Sequence, residues 1–224
     1  MKRGVIMSNR YKVIFFTGAG ISAESGIPTF AEMDGIRDKL SRDFARQHPK
    51  EYIQTIREMK AVCDKAEPNA AHKAIADLGC PVVTMNIDKL HSKAGSPHVV
   101  EVHGKLPTEE QLNRGLFVAQ EYGGIVLYGD AAPESQTAGS LIDKLKYKDS
   151  YFVIVGTSFY TTISSMALKW AQMRGAKILL INSNASTEVP LVCEKLKQWI
   201  ETGERPVLKE EWVYTPPVKL SPYF

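Results

Sequence analysis

Gly18-Ala19-Gly20-Ile21-Ser22-Ala23-Glu24-Ser25-Gly26-Ile27-Pro28-Thr29-Phe30 directly follows the apolar run Val13-Ile14-Phe15-Phe16. A run this short and this apolar reads as a parallel strand buried on both faces. Glycines just past such a strand let backbone N–H groups approach an anionic ligand, with a helix start behind them. On spacing alone the stretch is Gly-x-Gly-x-x-Ala, a weak dinucleotide fingerprint that a plain bending turn also satisfies.

Working outward, further apolar runs end in small or polar residues. Val82-Val83-Thr84-Met85 leads into Asn86, Ile87 and Asp88. Val99-Val100-Glu101-Val102 delivers His103 and Gly104. Gly124-Ile125-Val126-Leu127-Tyr128 reads as a strand running into Gly129 and Asp130. Tyr151–Val155 ends in Gly156-Thr157-Ser158, and Lys177–Ile181 ends in Asn182 and Asn184. Strands alternating with helices predict an α/β fold, a doubly wound parallel sheet, whose ligands sit at the carboxyl ends of the strands. At that edge Asn86 and Asp88 suit an amide and a ribose hydroxyl, or else an Asx turn that caps the next helix. His103 has the resting pKa of a general base at neutral pH, and the glycine after it leaves room for a substrate.

Between the first two strands lies a helical excursion, 31–67, expected as a lid over the ligand or as solvated helices. Asn69 reads as the N-cap of a helix closed by Gly79, with His72 structural or capping. A helical part is expected near Thr108–Ala119, capped by Thr108. Ile163, Met166, Ala167 and Trp170 form a core stripe. A helix is expected over Glu188–Ile200, with Pro190 in its first turn. The Pro-rich tail, 203–224, reads as an extended strap or a mobile end.

The 224 residues fit a single domain over 1–224, and 44% hydrophobic residues suffice for a sizeable core. A formal charge of +3, with both signs interspersed, argues against nucleic acid and against a membrane surface. No signal peptide and no membrane-spanning run is evident. Three scattered cysteines, Cys63, Cys80 and Cys193, argue for a reducing, cytoplasmic setting without disulfides.

The opening stretch resembles the signature of the sirtuins, NAD-dependent protein deacylases. The resemblance returns at Thr84-Met85-Asn86-Ile87-Asp88-x-Leu90-His91, Glu101-Val102-His103-Gly104, Tyr128-Gly129-Asp130, Gly156-Thr157-Ser158 and Ile181-Asn182, and runs from about Lys12 to Leu196. It implies a Rossmann-like domain that binds NAD through Gly18, Ala19, Gly20, Ser22, Pro28, Phe30, Met85, Asn86, Ile87, Asp88, Gly156, Thr157, Ser158, Asn182, Asn184 and Cys193. It implies catalysis by His103, Asn86 and Asp88, and an acylated lysine of a protein or peptide paired against Val126, Tyr128 and Gly129. In the implied reaction nicotinamide leaves the ribose, the acyl oxygen attacks the sugar, and His103 takes a proton from a ribose hydroxyl. The products are free lysine, nicotinamide and an acylated ADP-ribose.

Zinc-bearing sirtuins carry two Cys-x-x-Cys pairs between the His-Gly and Phe-Gly-Glu elements. The interval Lys105–Leu127 contains no cysteine, so no metal is expected. Ala31 stands where the family has Arg, with Arg37 the nearby cation, and Met85 where it has Gln. These departures leave two other readings open: an ADP-ribosyltransferase or NAD hydrolase, and a non-enzymatic NAD or ADP-ribose binding module.

Overall fold

The structure, a computed structural model, describes residues 10–29, 32–33, 35–113, 124–128 and 130–215. Phe30, Ala31, Gly129, residues 114–119 of the expected helix and residues 216–224 of the tail lie outside them.

Among the described residues five strands form one parallel sheet. They are β1 (Val13–Thr17), β2 (Val82–Thr84), β3 (Val99–Glu101), β4 (Tyr151–Val155) and β5 (Lys177–Ile181), in the order β3-β2-β1-β4-β5. Phe15 pairs with Val82 on one side and Val153 on the other. Side chains alternate across the sheet, and the two faces bury two separate clusters. Val13, Phe15, Val82, Tyr151, Val153 and Leu179 point to one face, with α4 (Ala70–Leu78) and α9 (Ala185–Thr202) against them. Ile14, Phe16, Val83, Phe152 and Ile154 point to the other, under α7 (Ser135–Ile142) and α8 (Thr162–Met173).

The excursion after β1 is helical, as its periodicity predicts. It comprises α1 (Ile36–Lys39), α2 (Arg42–Gln47) and α3 (Pro49–Lys65). The helical pattern breaks between Gln47 and Pro49, which is the first residue of α3, where its missing N–H is no loss. These helices do not form a core alone. Ile36, Leu40, Tyr52 and Ile56 share a third cluster with Ile87, Leu106, Ile125 and Leu127, so two chain segments close over the carboxyl end of the sheet. α5 (Leu90–Lys93) follows β2, and α6 (Glu109–Asn113) starts with a capping box in which Thr108 and Gln111 exchange hydrogen bonds.

Three expectations need correction. Among the described residues Gly124–Tyr128 belongs to no sheet, and Tyr128 forms only an isolated parallel bridge with Ser41. The segment's hydrogen bonds go to loops: Val126 N–H to the His103 carbonyl, and Tyr128 N–H to the Leu40 carbonyl. α9 begins at Ala185, so Pro190 lies inside it and removes one internal hydrogen bond, a loss offset by buried Val192, Leu196 and Trp199. The helix α7 has no counterpart in the expected elements. Of the strap expected after Gly203, residues 204–215 are described. Val213 bridges Leu179, and the buried Trp212 donates its indole N–H to Glu188 at 2.8 Å.

Candidate active site

The loops after β1 and β4 meet backbone to backbone. Gly20 N–H donates to the Gly156 carbonyl and Gly18 N–H to the Val155 carbonyl, both at 2.9 Å. A Cβ on Gly156, whose φ is +64°, would lie 2.3 Å from the Ile21 nitrogen. One on Gly18 would lie 2.7 Å from the Gly156 oxygen. The glycines therefore answer first to each other, and two N–H groups expected to face a phosphate are spent inside the protein. The Asn182 side chain holds the second loop: its Oδ1 accepts from Thr157 N–H at 3.0 Å and its Nδ2 donates to the Thr157 carbonyl at 2.9 Å.

The loops border a cavity of about 890 Å³, within the range of a large ligand site. Of the residues singled out from the sequence, Ala19, Gly20, Met85, Asn86, Ile87, His103, Val126, Tyr128, Gly156, Thr157, Ser158 and Asn182 line it. Gly18, Ser22, Pro28, Asp88, Asn184 and Cys193 do not. Cys193 is on the buried face of α9, where burial drives its thiol pKa up. Asn184 caps α9 in a left-handed conformation, without a side-chain cap bond.

Asp88 is a structural hub behind the wall. Its Oδ1 accepts from Leu90 N–H at 2.9 Å, an Asx turn that leads into α5, and its Oδ2 accepts from Ser22 Oγ at 2.7 Å. Ser22 in turn accepts from Asn86 Nδ2 at 3.1 Å, which fixes the amide that reaches the cavity. The chain of contacts continues inward through His72, held to Asn69 Oδ1 at 3.1 Å, to His91, whose ring lies 4.9 Å away. Thr17 Oγ1 donates to Thr84 Oγ1 and so accepts from His91 Nε2–H at 2.9 Å. His91 Nδ1 is left buried without a partner. Protonating it would bury an unsatisfied donor, and burial holds its pKa near 3; that of His72 is near 4.

His103 is positioned differently. The turn Glu101–Gly104 closes on a hydrogen bond from Gly104 N–H to the Glu101 carbonyl, with φ +76° at Gly104. A Cβ there would lie 1.9 Å from the Gly124 oxygen. The glycine makes room for the 124–128 segment, not for a substrate as the sequence suggested. Burial lowers the His103 pKa below 6.5, opposed by a hydrogen bond to the Met85 carbonyl. The ring is thus neutral at pH 7, and the nitrogen that does not face Met85 carries the lone pair of a base.

A model of the Sir2 family matches residues 18–113. The NAD-dependent protein deacylase 2 of Archaeoglobus fulgidus is 32% identical over 230 residues, covering 87% of this chain and 89% of that protein. The chain belongs to the Sir2 family. The fold agrees: a solved Sir2 enzyme structure, 30% identical, superposes with a TM-score of 0.66 over 83% of this chain and 92% of that one. Another Sir2 structure, in complex with the inhibitor EX-527, 2'-O-acetyl-ADP-ribose and a deacetylated p53 peptide, is 25% identical. It superposes with a TM-score of 0.67 over 81% of this chain and 92% of that one.

Further residues complete the walls of this Sir2 cavity. Ile163 and Met166 line it, although they read as core, because α8 turns its first two turns toward the opening. Arg37, Tyr160 and Asp130 line it as well. Asp130 is buried and paired with Arg42. Asp130 closes the Tyr128-Gly129-Asp130 motif and Arg37 is the nearby cation of the sequence, whereas no local pattern marks Tyr160.

Proposed function

We propose that this protein is an NAD-dependent protein-lysine deacylase, which transfers the acyl group to ADP-ribose and releases nicotinamide. The observation that carries the reading is a single cavity shared by the Gly20 and Gly156 loops, Asn86 and a neutral His103. The residues fit a dinucleotide: the space is about 890 Å³, and glycine loops, amides and hydroxyls border it at the carboxyl ends of parallel strands. NAD would supply the electrophilic sugar carbon when nicotinamide departs. Gly20, Thr157, Ser158 and Asn182 would hold the nucleotide, and Asn86, fixed by Ser22, the nicotinamide end. His103 would take the proton from a ribose hydroxyl. Val126 and Tyr128 would face the acyl-lysine, and α1–α3 would exclude water as a lid. Membership of the Sir2 family and the deacylase name of the archaeal relative support the same activity.

Among the described residues no helix is long and apolar enough to cross a membrane. The three cysteines are buried and unpaired, which fits the cytoplasmic setting we propose.

The test is nicotinamide release from NAD with and without an acetyl-lysine peptide. Strict peptide dependence supports the deacylase. Release without peptide points instead to a transferase or hydrolase, and no release at all to a binding module.

A further inference from the structure

Arg37 is the one Lys or Arg on the cavity wall among the described residues. Its guanidinium carbon stacks 4.3 Å from the Tyr160 ring centre, and its charge is felt at the Tyr128 hydroxyl. Its Nε is buried with no hydrogen-bond partner. The other charged pair at this end of the cavity is already closed, since the Asp130 side chain is 1% exposed and bound to Arg42. The described wall therefore offers Arg37 no accessible carboxylate. A guanidinium held against a ring face, with no accessible carboxylate on the described wall, is pre-organised for a planar anion, because little rotamer freedom is left to lose on binding.

The place of Arg37 narrows the anion. Tyr128 is 41% and Tyr160 67% exposed, so the cluster sits at the rim where the cavity opens to solvent. His103 borders the same cavity from a different segment, the turn after β3. A group attached near the reacting carbonyl enters beyond the rim, whereas the polypeptide that carries the lysine stays on it.

We infer that Arg37 reads an acidic side chain on the substrate polypeptide, adjacent to the acyl-lysine and gripped at the rim formed by Tyr128 and Tyr160. This rests on the deacylase reading and narrows its substrate class to acyl-lysines with Asp or Glu beside them.

The experiment uses the full chain, NAD and a set of acetyl-lysine peptides that differ only in carrying Glu, Gln or Lys within two positions of the acetyl-lysine. At low salt, kcat/KM for the Glu peptide exceeds that for the Gln peptide by about fivefold, the size of a well-oriented but solvent-touched ion pair. The Lys peptide is poorer still. The preference shrinks in 0.5 M salt, as an interaction at the surface should. Arg37→Gln brings the Glu/Gln ratio to about one by raising the peptide KM, and Arg37→Lys restores part of it.

Equal rates for Glu and Gln peptides with the unaltered protein overturn the inference, as does a preference that survives Arg37→Gln. A variant that raises the KM for NAD alike with every peptide would assign Arg37 to the cofactor. A preference for succinyl- over acetyl-lysine in neutral peptides, lost in the variant, would assign it to the acyl chain. If no peptide is turned over, the deacylase reading fails on its own. Fluorescence polarisation of labelled Glu and Gln peptides in the presence of NAD then decides whether Arg37 discriminates between them.

Discussion

Replacing Gly156 by alanine isolates the contact on which the cavity is built. The φ of +64° alone disfavours an L-residue by about 1–2 kcal/mol. The new Cβ would also stand 2.3 Å from the Ile21 nitrogen and 2.6 Å from the Gly20 carbonyl carbon, both of them backbone atoms. Real Cβ contacts stay above 3.0 Å, so the two loops must part by about 0.7 Å. That separation stretches the hydrogen bond from Gly20 N–H to the Gly156 carbonyl and the one from Gly18 N–H to Val155. Each contributes about 1 kcal/mol. The sum is about 3–4 kcal/mol, or about a 10 °C fall in Tm for a chain of this size. Gly79→Ala is the internal control. Its φ is +71°, and no atom lies within 4 Å of the added Cβ, so only the conformational part remains and Tm falls by about 3–6 °C. Thermal and urea unfolding of the two variants side by side is the assay, with ADP-ribose binding as a second readout that drops for Gly156→Ala alone. Equal losses of stability in the two variants would refute the reasoning, because the loop contact would then carry no energy.

His103→Ala lowers kcat/KM for deacylation by about 10²–10⁴, the usual range for losing a positioned base. In the unaltered enzyme the acid limb of the pH–kcat/KM profile lies below 6.5, because burial depresses this imidazole and its neutral form is the active one; a limb above 6.5 contradicts the assignment. His72 and His91, with pKa values of about 4 and about 3, are neutral when folded but take protons near 6.5 when unfolded. Their stability contribution is complete above pH 6.5 and is lost as the pH falls toward 4, so the urea midpoint drops through that window and His91→Gln flattens the slope. Asn69→Ala removes the cap of α4, two acceptor bonds to Ala71 and His72 N–H, and the bond from its Nδ2 to the Ile21 carbonyl at 2.8 Å. A loss of about 2 kcal/mol is expected in urea unfolding.

The sheet was legible because its strands are short apolar runs, four of them leading into Gly, Asn or Thr and the half-buried β3 into His103, and a run of that kind can be little else. Gly124–Tyr128 has the same composition and misleads for a definite reason. Ile125 and Leu127 are buried against α1–α3, and apolar content does not say whether a neighbouring strand or a loop takes the hydrogen bonds. α7 escaped notice because Ser135-Gln136-Thr137-Ala138-Gly139-Ser140 has low helix propensity. It is held instead by tertiary contacts, with the Trp170 ring 3.3 Å from where a Cβ on Gly139 would be. The motif residues of the site were readable as a set, but not the division of labour among them. Asp88 looked like a ligand contact, yet its two oxygens are spent on Ser22 and Leu90. Arg37 was readable only as a nearby cation, since its place on the wall depends on how a distant excursion folds back over β4.

The strand order explains why function gathers between β1 and β4. The chain winds outward from β1 through β2 to β3, then returns to the other side of β1 for β4 and β5, so the loops after β1 and β4 diverge from one point. In many such sheets that divergence leaves an open crevice. Here Gly18, Gly20 and Gly156 close its floor by direct backbone contact, and Asn182 ties the Thr157 peptide to β5. The floor is therefore rigid and largely spent in hydrogen bonding. Among the described residues, the Gly18, Gly20 and Thr157 N–H groups all have protein partners, whereas those of Ala19 and Ser158 have none. In the proposed function a phosphate must then be met by Ala19 and Ser158, one donor from each loop, at a spacing fixed by the glycine contact beneath them. Loosening that contact should weaken ADP-ribose far more than adenosine, because only the ligand with phosphates spans both loops. A Gly156→Ala protein that lost affinity for both ligands equally would show that the two loops do not act as a pair.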